Sequence, residues 1–468
     1  MTPTPPRAAA AGFDRLGLAP AVLDNLGRLG YLEMTPVQAA TLPLTLAGAD
    51  LIAQARTGSG KTAAFALPLL LRIEARRFDV QGLVLCPTRE LADQVAQEVR
   101  RLARAEDNVK VLTLCGGVPL RDQLASLTRG AHVVVGTPGR VLDHLARGSL
   151  GLGALRTLVL DEADRMLDMG FAESIASVVA QCPRERQTLL FSATVPDAVA
   201  ALAARFLREP KRIEVTERAP PGQIRERYYE VLETARLHTV ARLLEHYRPL
   251  GTLAFCNTRQ QCADLAQVLR AQGYQALALH GELEQRERDQ VLVRFANRSC
   301  SVLVATDVAS RGLDIDRLAA VVNVDIASDA ATHLHRIGRT GRAGESGWAL
   351  SLASLEEMGQ VGRIEQQQGR EVAWHALDEL VPTGDGPLVA PMVTLQIAGG
   401  RKEKIRAGDV LGALTQDAGF AAAQIGRIDV NPFSTYVAVD RQIARAALAK
   451  LDGGRIKGKV VKVRTLDD

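Results

Sequence analysis

Paired cysteines and long apolar runs are missing from this sequence, and we expect no leader segment. The six cysteines are scattered over 468 residues with no CxxC pair, and Cys256 and Cys262 are too isolated to suggest a zinc site. No charge-free apolar run is long enough to span a membrane, and the Pro/Ala-rich start has no apolar core like that of a signal peptide. We therefore expect reduced thiols, a cytoplasmic location, no membrane contact and a disordered N-terminus over residues 1–12.

A strong charge of either sign is also missing from most of the chain. The whole chain has 57 Lys and Arg against 53 Asp and Glu, whereas residues 390–468 have 13 against 8. The basic excess therefore lies at the C-terminal end, which is typical of a module that binds nucleic acid. A charge run is more often only a solvated face, so this observation needs support from other features.

The residues ARTGSGKT at positions 55–62 form a glycine-rich loop. Its small residues let backbone N–H groups approach an anion, Lys61 can reach the terminal phosphates of a nucleotide, and the Thr62 hydroxyl can bind Mg²⁺. The context favours this function, because a short apolar strand precedes the loop and a helix over 62–67 follows it. The alternative is a glycine-rich turn without chemistry, and Ala55 stands where the general motif has Gly.

An acidic segment completes this predicted nucleotide site. The apolar run 157–160 has the length of a buried parallel strand and ends in Asp161-Glu162-Ala163-Asp164. A carboxylate at the carboxyl end of a strand beside a phosphate loop suits a nucleotide-bound Mg²⁺, a role that we assign to Asp161. Glu162 is then placed to orient and deprotonate the attacking water. The alternative is an acidic helix start with no catalytic role.

Together with further motifs in the same order, these segments resemble the DEAD-box RNA helicases. The resemblance covers residues 13–365, and the motifs that carry it include TPVQ at 35–38, PTREL at 87–91, TPGR at 137–140, DEAD at 161–164, SAT at 192–194 and HRIGRTGR at 335–342. It implies an α/β fold with two RecA-like parallel-sheet lobes in tandem. It also implies ATP and Mg²⁺ as cofactors and RNA as a partner.

The resemblance further implies roles for individual residues. Nucleotide contacts are implied for Phe13, Gln38, Thr57, Gly58, Ser59, Gly60, Lys61, Thr62, Gly312 and Asp314. Catalysis is implied for Lys61, Glu162, Arg339 and Arg342, with Mg²⁺ held by Thr62 and Asp161. Coupling of the ATP and RNA sites is implied for Ser192, Thr194 and His335, and contacts to the RNA backbone for Thr88, Arg89, Gly117, Thr137, Arg140, Thr306 and Arg311. The chemistry suits these roles, since an amide can pair with an adenine edge and arginines stabilise charge in phosphoryl transfer.

Linker signals divide the chain into three folded parts. We expect a first lobe over 13–215 that binds ATP, a linker over 216–226, a second lobe over 227–380, a linker over 381–390 and a C-terminal domain over 391–468. Closure of the two lobes around ATP is expected to assemble the catalytic site and one continuous RNA groove.

The C-terminal domain has the element order β-α-β-β-α-β, which is RRM-like. Strands are predicted over 393–397, 425–430, 436–439 and 459–463, with helices over 409–416 and 441–451. The aromatic platform on which RRMs stack bases is mostly missing, because the third strand offers only Tyr436. Two basic loops predict instead that the domain binds a structured hairpin through backbone contacts. Their basic residues are Arg401, Lys402, Lys404 and Arg406 in the first loop, and Arg455, Lys457, Lys459, Lys462 and Arg464 in the second. We assign RNA contacts to Arg401, Lys402, Lys404, Lys457 and Lys459.

These tail segments resemble those of the bacterial DbpA helicases, through GRKEKIRAGDVLGAL at 400–414 and GRIKGK at 454–459. That resemblance implies a 23S ribosomal RNA hairpin as the target and assembly of the large subunit, on a pre-50S particle, as the setting. We expect a monomeric ATP-dependent RNA helicase that opens short duplexes locally. One alternative is a passive RNA-binding scaffold with a dead ATPase core, against which the intact Lys61, Asp161 and Glu162 argue. A DNA translocase is the other alternative, and the motif set disfavours it.

Overall fold

The computed structural model describes residues 12–55, 58–106, 108–215, 224–310, 318–341 and 346–466. The described residues up to 215 belong to one compact unit of the chain, and residues 224–310 and 318–466 belong to a second. The predicted site residues Thr57, Arg311, Gly312, Asp314 and Arg342 lie outside the described residues. The same holds for residues 1–11 of the N-terminus predicted to be disordered over 1–12, and for residues 216–223 of the first predicted linker.

A parallel sheet of seven strands forms the centre of the first unit. Its strands are β1 (Leu51–Gln54), β2 (Gly82–Leu85), β3 (Val111–Leu114), β4 (Val133–Gly136), β5 (Thr157–Asp161), β6 (Gln187–Ser192) and β7 (Lys211–Glu214). They lie side by side in the order β3-β4-β2-β5-β6-β1-β7. Parallel sheets are covered by helices on both faces, and accordingly Leu51 and Ala53 enter one apolar core whereas Ile52 enters another.

Nine helices flank this sheet in the described part of the first unit, and two of them begin at a side-chain cap. They are α1 (Pro20–Arg28), α2 (Pro36–Leu46), α3 (Lys61–Leu70), α4 (Arg89–Leu102), α5 (Leu120–Leu127), α6 (Pro138–Ala146), α7 (Ala163–Asp168), α8 (Ala172–Val179) and α9 (Asp197–Phe206). Thr35 caps α2 in a capping box with Gln38, and the Thr88 hydroxyl caps α4 by accepting the backbone N–H of Leu91. A 3-10 turn over Phe13–Leu16 precedes them.

A second parallel sheet of seven strands forms most of the second unit. Its strands are β8 (Ile224–Glu230), β9 (Thr252–Phe255), β10 (Ala276–Leu279), β11 (Val302–Ala305), β12 (Ala320–Asn323), β13 (Gly347–Ala353) and β14 (Trp374–His375). Their order is β10-β11-β9-β12-β13-β8-β14, which repeats the first sheet position for position. The predicted fold of two RecA-like lobes in tandem is therefore confirmed, and β8 begins three residues before the strand signal at 227.

The second sheet is flanked by α10 (Arg236–Tyr247), α11 (Arg259–Ala271), α12 (Gln285–Ala296), α13 (Asp307–Ser310), α14 (Ala330–Ile337) and α15 (Met358–Gln368). The Asp329 carboxylate caps α14 by accepting the backbone N–H of Thr332 at 2.8 Å. Within the described parts of the chain, no helix has both the length and the apolar character needed to cross a membrane.

The C-terminal domain is a small antiparallel sheet packed against two helical segments. Its elements are β15 (Met392–Ile397), α16 (Ala407–Gly412), β16 (Ile425–Val430), β17 (Thr435–Asp440), α17 (Ala444–Leu451), β18 (Arg455–Ile456), β19 (Lys459–Val460) and β20 (Val463–Thr465). The four-stranded sheet has the order β16-β17-β15-β20, and a π-helical turn over Ala413–Asp417 extends α16. The RRM-like arrangement is confirmed.

The predicted last strand over 459–463 is wrong. Its first part pairs with β18 in a separate two-stranded hairpin, and only Val463–Thr465 joins the main sheet. The physical reason is the two-residue turn between β18 and β19, where Lys457 and Gly458 both have positive φ, 52° and 76°. Positive φ at both central positions is typical of the tight turns that close β-hairpins.

The outer face of the C-terminal sheet packs on the second lobe inside the second unit. Thr394 of β15 is fully buried, and its hydroxyl accepts a hydrogen bond from the Asn297 amide at 3.1 Å. The Ser299 hydroxyl lies 2.6 Å from the same oxygen, and the backbone N–H of Met392 donates to the carbonyl of Arg298 at 3.3 Å. The segment after α12 therefore holds the central strand of the C-terminal domain.

Candidate active site

The glycine-rich loop leads from β1 into α3 and needs glycine for geometric reasons. Gly58 and Gly60 have φ of +80° and +91°, in the left-handed region that favours glycine. A Cβ atom on Gly60 would lie 2.6 Å from the Gln38 Nε2 atom and 3.0 Å from the Thr35 Oγ1 atom. Lys61 then begins α3, and Thr62 lies half-buried in its first turn. The end of the loop is thus fixed between β1 and a helix N-terminus, which suits an anion.

Gln38 contacts this loop directly. Its Oε1 atom accepts the backbone N–H of Thr35 at 2.9 Å, and its Nε2 atom donates to the carbonyl of Gly60 at 3.0 Å. The predicted adenine contact would have to use the remaining amide hydrogen and lone pair. Phe13, predicted to stack on the base, is buried edge-on against Tyr31 with the ring centroids 6.2 Å apart. Both adenine contacts stay predictions.

Lys61 and Asp161 lie near the carboxyl ends of two strands of the first sheet that are separated by a single strand. The strands that precede them, β1 and β5, both pair with β6, and Asp161 and Ala53 are both in register with Phe191. Both side chains are buried, and neither the Lys61 ammonium nor the Asp161 Oδ1 atom has a hydrogen-bond partner among the described residues. Burial raises the pKa of Asp161 to about 6, although the Lys61 charge acts in the opposite direction.

Buried polar atoms without partners cost free energy, so these two atoms indicate a site shaped for a charged ligand. The ammonium suits a phosphate, and the carboxylate suits a hard cation such as Mg²⁺. In the described parts of the chain, no cluster of three or more His, Cys, Asp or Glu could hold a metal by itself. A metal ion at Asp161 would therefore need oxygen atoms from a hydroxyl such as that of Thr62, from water or from the nucleotide.

Glu162 is held by a residue that the sequence interpretation missed. It is buried with a left-handed backbone, φ +53° and ψ +54°, just before α7. The Arg165 guanidinium donates to its Oε2 atom at 2.8 Å, and both side chains are nearly inaccessible to solvent. The spacing of three residues on a helix start was the available signal.

The predicted coupling residues Ser192 and Thr194 meet the acidic segment at Asp164. The Asp164 Oδ2 atom accepts both the backbone N–H and the hydroxyl of Thr194 at 2.9 Å. The backbone N–H of Asp164 donates to the Ser192 hydroxyl at 3.1 Å. Three charge-assisted or backbone bonds therefore connect these two segments, and a movement of one is expected to shift the other.

The predicted RNA contacts of the first unit lie on loops and helix starts after its strands. Thr88 and Arg89 begin α4, Thr137 directly precedes α6, and Gly117 has a φ of +72°. Arg140 donates to the carbonyl of Val118 at 3.1 Å, so the TPGR segment holds the Gly117 loop.

A buried polar network supports Arg140, and the sequence interpretation missed it. The Gln123 Oε1 atom accepts the Arg140 guanidinium at 2.8 Å and lies 2.9 Å from the His144 Nε2 atom. Burial lowers the pKa of His144, with the Arg140 charge acting in the same direction. Gln123 also donates to the carbonyl of Cys115 at 2.9 Å, which ties the network to the chain before Gly117.

In the second unit, Thr306, His335 and Arg339 lie around the buried Arg336. Arg336 binds both carboxylate oxygens of Asp307, at 2.7 and 2.6 Å, and thereby connects α13, which follows Thr306, to α14, which carries His335. Arg339 is buried just beyond α14, and its backbone N–H donates to the carbonyl of Arg336. Arg336 has a structural role that a basic run in sequence does not reveal.

The two basic loops of the C-terminal domain meet at one end of it. The Lys457 ammonium donates to the carbonyl of Lys404 at 3.0 Å, and the Lys459 ammonium donates to the carbonyl of Glu403 at 3.1 Å. All five predicted basic residues are exposed there. These are Arg401, Lys402, Lys404, Lys457 and Lys459. The 3-10 turn Arg401–Glu403 and the β18–β19 hairpin thus form one continuous basic surface, which we call the basic end.

Known families match along most of the chain. The DEAD/DEAH box helicase family matches residues 35–202, the helicase conserved C-terminal domain matches 235–344, and the DbpA RNA binding domain matches 394–465. The ATP-dependent RNA helicase DbpA of Escherichia coli strain K12 is 53% identical over 451 residues, which are 96% of this chain and 98% of that protein. The DEAD-box ATP-dependent RNA helicase CshA of Geobacillus kaustophilus is 44% identical over 362 residues, or 77% of each chain.

The fold comparison agrees with these matches. A solved structure of S. cerevisiae Dbp5 bound to RNA and ADP BeF3 is 30% identical, covers 79% of this chain and 97% of that chain, and gives a TM-score of 0.71. The chain belongs to the DEAD-box family of ATP-dependent RNA helicases, which are RNA-stimulated ATPases. Its C-terminal segment adds an RNA-binding domain of the DbpA type.

Proposed function

We propose that this helicase is directed by its C-terminal domain to a hairpin of 23S ribosomal RNA, where it opens adjacent short duplexes during assembly of the large subunit. In this proposal it acts in the cytoplasm, as a monomer, on a pre-50S particle. The supporting observation is the basic end, where two loops distant in sequence present exposed cations side by side. Phosphate contacts of this kind position a protein on RNA.

The first unit supplies most of the hydrolytic chemistry in this proposal. Lys61 holds the terminal phosphates together with the backbone N–H groups of Gly58, Ser59 and Gly60. Glu162 takes the proton from the attacking water, and its bond to Arg165 keeps the carboxylate oriented. Thr62 and Asp161 would hold a Mg²⁺ ion, which when bound supplies positive charge against the phosphate oxygens.

The remaining predicted residues complete the proposed site. Arg339 and Arg342 stabilise negative charge that develops on the γ-phosphate. Phe13 and Gln38 contact the base, Gly312 and Asp314 the ribose side, and Thr57 the phosphates. Ser192 and Thr194, through Asp164, and His335 on the other unit couple hydrolysis to RNA binding. The RNA backbone is held by Thr88, Arg89, Gly117, Thr137, Arg140, Thr306 and Arg311.

In this proposal the C-terminal domain selects the RNA. The contacts assigned to the two lobes are to the RNA backbone, and such contacts carry no sequence information directly. The tail's own affinity should fall with salt, with a slope of log K against log [salt] of about −0.9 for each phosphate neutralised in a duplex-like site. Lysines that bind phosphate should each contribute to that slope.

The experiment measures ATPase activity with a 23S-type hairpin RNA and with an unrelated RNA of equal length. The double variant Lys457→Gln, Lys459→Gln should lose the preference for the hairpin, flatten the salt dependence, and keep weak stimulation by any RNA. The control is Lys211→Gln, Arg212→Gln, which removes the same charge from exposed positions on the edge strand β7. An undiminished hairpin preference in the Lys457/Lys459 variant would refute tail-directed targeting.

A further inference from the structure

The sheet face on which RRM-type domains stack bases is covered in this protein. Thr394 and Ala438 at the centre of that face are at most 1% exposed, and Tyr436 is 5% exposed. Asn297 and Ser299 of the second lobe bind the Thr394 hydroxyl there. A nucleobase cannot reach the middle of this face while the contact persists. Any base stacking by the domain must therefore use another surface.

Phe433 is an exposed aromatic residue in the loop between β16 and β17. Its exposure is 64%, which is the highest among the phenylalanines in the described residues. An aromatic ring that is exposed to water offers a flat apolar face on which a nucleobase can stack.

The loop that carries Phe433 is fixed by its neighbours. The backbone N–H of Arg401 donates to the carbonyl of Asn431 at 2.8 Å, and that of Lys402 donates to the carbonyl of Pro432 at 3.0 Å. Gly400 permits this approach, because a Cβ atom there would lie 2.1 Å from the carbonyl oxygen of Asn431. The ring is thus presented by a backbone that needs little ordering when RNA binds.

The basic end adjoins this ring. The Lys402 ammonium lies 4.0 Å from the centroid of the Phe433 ring. Glu403 and Lys404, next along the chain, accept the hydrogen bonds of Lys459 and Lys457 through their carbonyls. An aromatic face next to several cations is the arrangement by which proteins hold single-stranded nucleotides, with the base stacked and its phosphates paired.

We propose that Phe433 stacks on an unpaired nucleobase of the bound RNA, while the cations of the basic end hold the flanking phosphates. The ligand is an unstacked base in a loop, bulge or end beside a stem, rather than the stem itself. This inference rests on the proposed function in taking the basic end as the RNA-binding surface of the domain.

The test uses the full-length protein without nucleotide and two fluorescein-labelled RNAs, a stem–loop and a blunt duplex of the same stem. Phe433→Ala and Phe433→Leu should each weaken stem–loop binding by about 5- to 160-fold, the range that loss of one base–aromatic stack produces. Phe433→Tyr, which keeps an aromatic face, should bind within about threefold of the wild type. Duplex affinity should not change, because a blunt duplex offers no unstacked base.

The matched control is Phe78→Ala in the first unit, since Phe78 is 43% exposed and also lies under a lysine, with Lys110 4.6 Å from its centroid. It should leave stem–loop affinity unchanged. Stem–loop binding that survives Phe433→Leu, or that falls equally for the duplex, would overturn the stacking contact. If Lys457→Gln, Lys459→Gln also binds normally, the proposed function itself fails. If that variant alone is weakened, only the stacking inference fails.

Discussion

The two seven-stranded sheets have the same strand order. Each has a buried cation at the start of the helix that follows its first strand, but the two charges are neutralised in different ways. In the first sheet this helix begins at Lys61, whose buried ammonium has no hydrogen-bond partner among the described residues. In the second sheet it begins at Arg236, which is also buried. Arg236 binds the carboxylates of Glu357 at 2.6 Å and Glu233 at 2.7 Å, and lies 3.3 Å from Asp325.

The fold therefore sets the position of a buried cation at the start of this helix, whereas the surrounding residues decide what neutralises its charge. The second lobe provides its own carboxylates and also bonds Arg236 to the carbonyl of Val324. In the first lobe glycines precede Lys61, and the Asp161 carboxylate near it makes no hydrogen bond to its ammonium, so we expect a ligand to neutralise Lys61. We infer that a nucleotide phosphate does for Lys61 what Glu357 does for Arg236.

Glu162→Gln should produce the largest effect on ATP turnover, because it removes the proposed general base from the first lobe while keeping the shape of the side chain. Turnover of ATP should fall by about 10²- to 10⁴-fold, the usual contribution of general-base catalysis, while ATP binding persists. Steady-state ATPase assays with saturating RNA measure this, with a fluorescent nucleotide to follow binding. Glu173→Gln, at an exposed carboxylate on α8, is the control. Near-normal turnover of Glu162→Gln would remove this residue from the mechanism.

Arg236→Met and Lys61→Met should lower the free energy of unfolding by very different amounts. Removing Arg236 leaves buried carboxylates without their partner, which costs about 3–5 kcal/mol of unfolding free energy. Removing Lys61 breaks no hydrogen bond to a described residue, so we expect a loss below about 1 kcal/mol without nucleotide.

Urea unfolding distinguishes these two variants. Both tryptophans, Trp348 and Trp374, lie in the second unit, so their fluorescence follows Arg236→Met, while circular dichroism follows Lys61→Met. Equal losses of stability in both would contradict the view that only one cation is held by the protein itself.

Asp161→Asn should change how the stability of the first lobe depends on pH. Burial raises the pKa of Asp161 from 3.8 to about 6. The folded state therefore holds the proton more tightly than the unfolded state, and stability falls as pH rises from about 4 to about 6. The neutral variant should be more stable than the wild type at pH 7, by up to about 3 kcal/mol, and no more stable below pH 4. Thermal unfolding at both pH values, without nucleotide or Mg²⁺, measures this; a gain that is independent of pH would contradict the raised pKa.

The positions of Lys61 and Asp161 in the fold could be predicted from sequence because they depend on local geometry. A strand, a glycine loop and a helix within 20 residues place Lys61, and one strand end places Asp161. The ion pairs of Arg236 could not be predicted from sequence. Arg236 and Glu357 are 121 residues apart and are brought together only by the topology of the sheet. The same reason hid Arg336, whose carboxylate partner Asp307 lies 29 residues away.

The C-terminal domain shows the same limit on a smaller scale. Three of the four strands of its sheet followed from alternation and turn residues, whereas the hairpin at Lys457-Gly458 was missed because a run of basic and apolar residues is typical of a single strand. The convergence of Lys457 with Lys404 depends on that hairpin. The contact of Thr394 with Asn297 joins segments that no local pattern relates.

The number of nucleotides bound per chain shows whether the first sheet offers a phosphate site that the second sheet lacks. Isothermal titration calorimetry with a non-hydrolysable ATP analogue and Mg²⁺ should give one nucleotide per chain for the wild type. Lys61→Met should weaken that binding by at least about tenfold, the loss of a hydrogen bond to a charged group. Arg236→Met, where folded, should keep it. Two nucleotides per chain, or binding that is lost with Arg236 and unchanged without Lys61, would contradict the account.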